Sequence, residues 1–158
     1  MGILIFVLRV AIGALLLVAG ILKAHDGFRV TAEAIVGYRL LPSFAIIPLA
    51  VFLPYFEIGL GCYLLLGLFT RAVASIAAVQ FVIFTFAVGT VVARHIPISC
   101  GCFGSGDTAP ATWLDVVRDG ALVLVAALVA WKAPGSLAID NRLRTGSHLA
   151  VPEGSSPS

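Results

Sequence analysis

The sequence predicts an all-α integral membrane protein, a bundle of four transmembrane helices. Three observations predict it. The 158 residues are 60% hydrophobic and only 11% charged, where a soluble domain carries about 25% charged residues. Mean hydropathy is +1.08. Four apolar runs occur, each close to the ~20 residues that a helix needs to cross a ~30 Å hydrocarbon core. They fill most of residues 1–132 and leave no length for a soluble catalytic domain. A net charge of +2 is too mild to suggest a nucleic-acid partner, so membrane lipid is the expected surrounding.

The first span covers about residues 3–22 and ends at Lys23, His25 and Asp26. Its apolar core is too long for a signal peptide and three more spans follow, so it is read as retained. The second covers about 45–66 and contains Pro48, Pro54 and Glu57. Prolines are tolerated there when neighbouring helices satisfy the freed carbonyls. The third covers about 72–93, with Gln80 inside it, and the fourth about 113–131, opening on Asp115, Arg118 and Asp119. Those three charges read as structural: acids suit a helix start, and Asp115 and Arg118 can pair at i, i+3. Trp113, Trp131 and Tyr38 fit interfacial anchors.

Residues 24–44 form the longest connection between spans. Phe28, Thr31, Ile35 and Val36 fall near helical spacing and predict a short helix lying in the interface. Residues 67–71 make a tight hairpin, and residues 94–112 carry two of the three cysteines among glycines and prolines. The tail, 133–158, is rich in Gly, Pro and Ser and is expected to be disordered.

Lysine and arginine counts in the short loops do not orient the bundle. Lys23, Arg29, Arg39 and Arg94 lie on one side, and Arg71, Lys132, Arg142 and Arg144 on the other. Disulfides persist outside the cytosol. The cysteines therefore place the 94–112 loop outside the cytoplasmic membrane, with both termini and the tail in the cytoplasm.

Charged groups inside a span are costly and are functional candidates by default. Measured from the helix ends at 1.5 Å per residue, Arg9, Glu57 and Gln80 lie ~9, ~13 and ~13 Å deep. They are expected to meet in one polar layer, either a pin for helix register or a proton or quinone site. Gly13, Gly20, Gly59 and Gly61 suit close helix packing. Cys62 lies ~25 Å along the second span from the other cysteines and reads as a packed small residue.

The segment ISCGCFGSGD at 98–107 holds Cys100 and Cys102 around Gly101. Residues i and i+2 in a bent chain can reach the 4.4–6.8 Å Cα separation that a disulfide needs, and glycine permits the unusual dihedrals of so small a ring. A bridge closing so short a loop staples little. Labile disulfides of this kind are the exchanging ones. Exchange needs a thiolate, and His95, His25, Lys23 and Arg94 are the candidates to support it or to move a proton. Two other readings stay open. Cys-x-Cys with a histidine is half of a soft-metal site, too little to assign a metal. The loop could also be a plain turn in a non-catalytic subunit or scaffold of a membrane complex, so whether the protein is an enzyme stays open.

The segment LRVAIGALLLVAGILK at 8–23 resembles the first helix of DoxX-type membrane proteins, and PYFEIGLGCYLLLGLFTR at 54–71 is similar to their second. Arg9, Lys23, Glu57 and Arg71 fall on the matching positions. CGCFG at 100–104 and YRLLP at 38–42 resemble MauE, the methylamine-utilisation branch of that superfamily. The resemblance spans roughly residues 3–132. It implies a four-helix membrane protein of thiol redox, possessing a thioredoxin-like partner such as MauD and serving disulfide formation in exported proteins. It extends to the four-helix cores of DsbB and the vitamin K epoxide reductase family, which bind a quinone and use C-x-x-C. A quinone is therefore a candidate cofactor, although this chain carries C-x-C instead.

Overall fold

The computed structural model describes residues 2–101 and 109–132, and the expected disordered tail and Cys102 lie outside them. The described residues form five helices and no strand. These are α1 (Gly2–Asp26), α2 (Phe28–Tyr38), α3 (Ser43–Leu66), α4 (Thr70–Ala93) and α5 (Trp113–Lys132). The four apolar runs thus coincide in position with helices α1, α3, α4 and α5, because each run stops where charge, Gly or Pro begins.

Three helices, α1, α3 and α4, are long and apolar enough to cross a membrane. Helix α5 has 20 residues, but Asp115, Arg118 and Asp119 make its first two turns polar. Large side chains such as Phe44, Phe86 and Trp131 stand exposed around the bundle, the outward apolar surface expected of a protein solvated by lipid.

The bundle is built as two helix pairs, α1 along α3 and α4 along α5, with sparser contact between α3 and α4. Small residues set the first pair. A Cβ added at Gly20 would lie 2.7 Å from the Pro54 carbonyl, and one at Gly61 2.7 Å from Leu17 N, so the two backbones touch there. Gly59 has nothing within 4 Å of such a Cβ, so it takes no part in the packing expected of it. The core between the pairs gathers Ile12, Leu16, Leu60, Leu64, Ala77 and Phe81.

Helix α2 is the predicted short connection helix. Its inward stripe is Thr31, Ile35 and Tyr38, whereas Phe28 and Val36 are exposed. Tyr38 is therefore not an interfacial anchor: it is buried, and its hydroxyl donates a hydrogen bond to the Cys100 carbonyl. Cys62 also departs from expectation. It is exposed on the outer face of α3 rather than packed.

Candidate functional site

Two polar groups lie on the side of the bundle where α1 finishes and α5 begins, the first of them near the middle of α3 and α4. The first is an intramembrane cluster. Lys23 Nζ donates to Glu57 Oε1 at 2.7 Å and to Oε2 at 2.9 Å. Gln80 Nε2 donates to Glu57 Oε1 at 3.1 Å. Lys23 and Glu57 are 3% and 1% exposed, so the pair is shielded from the surroundings of the bundle. The Lys23 ammonium also stands 5.1 Å from the centroid of the Phe84 ring.

The predicted layer therefore forms around Glu57 and Gln80, with Lys23 in place of Arg9. Arg9 is buried at the other end of α1, beside Gly67, where a Cβ would lie 2.6 Å from its Nη1. Its guanidinium carbon lies 5.1 Å from the Phe6 ring. Gly67 is about ten residues beyond Glu57, ~15 Å along a helix. Depths counted from helix ends assume that the ends are flush, and here α1 and α3 are staggered. Lys23 reaches Glu57 because helical side chains lean toward their own N-terminus, which for α1 is the interior of the bundle. Lys23 is thus bonded to Glu57.

The second group surrounds Cys100. Gly101 has φ +65° and would bring a Cβ to 2.9 Å from that of Ala34 on α2. Conformation and close approach both require glycine there. The turn buries Cys100 against Tyr38, Val88, Val91 and Val92. Arg118 Nη2 lies 3.7 Å from Cys100 Sγ. Two carboxylates hold that guanidinium: Asp119 Oδ1 at 3.1 Å and Asp115 Oδ1 at 3.2 Å. Asp115 Oδ2 also accepts from the Thr112 N–H at 2.8 Å, closing the start of α5 as in a capping box.

Arg118 is the residue that sequence reasoning missed. Its spacing to Asp115 signalled an ion pair and nothing signalled the sulfur, which is 18 positions away in the chain. The expected cations stand elsewhere. His25 is 87% exposed, with Asp26 3.8 Å away. Arg94 and His95 are exposed where α4 ends, and His95 holds a left-handed turn at φ 53°. Among the described residues no three His, Cys, Asp or Glu side chains converge as metal ligands.

A cavity of ≈ 30 Å³ joins the two groups. Lys23, Glu57, Arg118 and Asp119 all stand on its wall, among Leu16, Phe81 and Phe84. That volume holds about one or two water molecules. The polar atoms thus run from Cys100 through Arg118 and Asp119 to Glu57 and Gln80 with one small gap.

Fold and site together define an all-α membrane protein with Cys100 seated beside a partly buried charge network. Residues 1–132 match the family described as methylamine utilisation protein MauE, and the chain belongs to that family. Three curated relatives are each named methylamine utilization protein MauE. The protein from Methylorubrum extorquens is 34% identical over 98 residues, 61% of this chain and 53% of its own. That from Methylophilus methylotrophus is 35% identical over 82 residues, 51% of this chain and 42% of its own. That from Paracoccus denitrificans is 30% identical over 125 residues, 78% of this chain and 67% of its own. The chain thus spans about half the length of the first two. No solved structure matches.

Proposed function

We propose that this protein is a membrane thiol–disulfide redox protein of the cytoplasmic membrane. The pair Cys100 and Cys102 exchanges electrons with an extracytoplasmic thioredoxin-like protein, of the MauD kind, and so supports the maturation of exported proteins. By the names of its relatives, the system served is methylamine utilisation or one like it. Helix α5 is the fourth span, the cysteine loop faces outward, and both termini face the cytoplasm.

The observation that carries this reading is the Arg118 guanidinium 3.7 Å from Cys100 Sγ. A fixed cation beside a sulfur favours the thiolate, the form that exchanges. In the exchange, one thiolate of the reduced pair attacks a sulfur of the partner's disulfide. A mixed disulfide forms and one partner thiolate leaves, taking up a proton. The second cysteine, as thiolate, then attacks the mixed disulfide and releases the partner's other sulfur. Two electrons and two protons pass to the partner, and the pair is left as a disulfide. Run in reverse, the same steps oxidise the partner, and the relative potentials set the direction.

Single Cys100→Ser and Cys102→Ser variants test the reading in membranes of cells that carry the partner. One of the two accumulates a mixed disulfide, resolved on non-reducing gels and identified by mass spectrometry. The double variant forms none and loses maturation of the exported substrate. Full maturation with the double variant sinks the proposal and leaves a non-catalytic scaffold.

A further inference from the structure

A sulfur that exchanges has to be reached, yet Cys100 is 5% exposed. Val88, Val91 and Val92 of α4 close it on one side and Tyr38 of α2 on another. The α4 wall is fixed, because that long apolar helix is packed along α5. The α2 wall is a helix of 11 residues. A helix shorter than ~12–15 residues is marginal by itself and holds its place only through packing. Such elements are the first to open.

Three contacts press α2 onto the cysteine loop. The Tyr38 hydroxyl donates to the Cys100 carbonyl. A Cβ added at Gly37 would lie 2.9 Å from Ile98 Cδ1, and one at Gly101 2.9 Å from the Ala34 Cβ, so helix and loop touch. On its other flank, Ile35 and Tyr38 overhang a groove of ≈ 400 Å³ between α3 and α4. Phe52 and Ile83 of its wall are exposed on the outer surface, so the groove opens toward lipid. Thr31, on the inward stripe of α2, is buried, and its Oγ1 has no hydrogen-bond partner among the described residues. An unmet buried hydroxyl costs free energy in the closed position.

Both ends of α2 are joints. Gly27 has φ 84° and ψ 161°, a conformation that only glycine adopts readily, and a Cβ there would meet nothing within 4 Å. Arg39, exposed, holds a left-handed turn at φ 52°, which is unfavourable for a residue with a side chain. Hinges are such positions at the ends of elements, where a few dihedrals absorb the motion.

We propose that α2 is a lid over Cys100, swinging on Gly27 and Arg39, and that the sulfur reacts only when the lid is open. The use of the lid rests on the proposed thiol exchange, whereas its motion is measured without a partner.

The test is the rate at which N-ethylmaleimide alkylates Cys100 in the reduced full chain in lipid nanodiscs. A Cys102→Ser background leaves one sulfur in the loop. Gly27→Ala strains only the closed position and is expected to raise the rate about tenfold. Tyr38→Phe removes one bond to the loop and raises it about fivefold. Arg39→Gly relieves the closed position and lowers it about threefold. Deuterium exchange of residues 28–38 shifts in the same sense as alkylation in each variant, while residues 88–92 keep wild-type protection. Unchanged alkylation in both Gly27→Ala and Tyr38→Phe overturns the lid, as does a rise accompanied by lost protection at 88–92, which is general loosening. Gated alkylation without a mixed disulfide to any partner keeps the lid and sinks the exchange, and a mixed disulfide with ungated alkylation does the reverse.

Discussion

Arg118 meets three groups at once. Asp115 and Asp119 fix its guanidinium, and Cys100 Sγ lies 3.7 Å from Nη2. On the proposed function, the guanidinium supports the Cys100 thiolate. Arg118→Ala is therefore expected to slow alkylation of the reduced Cys100 several-fold at pH 7 and to move its pH–rate profile upward. Arg118→Lys keeps the charge and restores part of the rate. An unchanged profile in Arg118→Ala excludes the role. Lys23 and Glu57 form the second residue-scale unit. Breaking a buried pair from one side leaves an uncompensated charge and costs about 3–5 kcal/mol. Lys23→Met alone is expected to destabilise the protein by that order, and Lys23→Met with Glu57→Leu by much less, because no buried charge is left alone. Unfolding midpoints in detergent, compared as a double-mutant cycle, check this. The Asp115–Arg118 pair was legible from its i, i+3 spacing, but the Arg118–Cys100 and Lys23–Glu57 contacts were not. Lys23 looked like the outer end of a span, and Arg118 like half of a helix-surface ion pair.

At the scale of elements, the α1–α3 pair is set by backbone approach at Gly20 and Gly61. A Cβ at Gly20 would fall 2.7 Å from the Pro54 carbonyl and 2.8 Å from Ile58 Cγ1. Gly20→Val is thus expected to cost about 1–3 kcal/mol, the range for overpacking. Gly59→Ala, with nothing within 4 Å of the added Cβ, is expected to be neutral or slightly stabilising. Thermal unfolding of the two variants side by side tests the assignment, and equal losses would count against the pairing. Element positions were legible in the sequence, since each depends on a local run of apolar residues. The inward stripe of α2 was half legible: Thr31 and Ile35 were found, but Tyr38 was assigned to the interface. A tyrosine suits a membrane surface and a buried hydrogen bond equally well, and only the position of the Cys100 carbonyl separates the two.

At the scale of the molecule, the helix pairs leave the cysteine loop at one end and a lipid-facing groove between α3 and α4. If the loop faces outward, a membrane-impermeant maleimide applied to intact spheroplasts labels Cys100 and Cys102 once the pair is reduced. Labelling only after the membrane is opened reverses the orientation and calls for a cytosolic partner. The sequence by itself determined where the helices lie, the short connecting one among them, and the need for glycine at 101. Those features follow from hydropathy and backbone conformation, which neighbouring residues fix among themselves. The tertiary structure alone decided which charges meet. The offset of α1 against α3 gives Glu57 to Lys23 and leaves Arg9 near Gly67, and the packing of α5 on α4 brings Arg118 to Cys100. Helix stagger is set by how two surfaces interlock, and hydropathy, which scores each helix separately, carries no record of it.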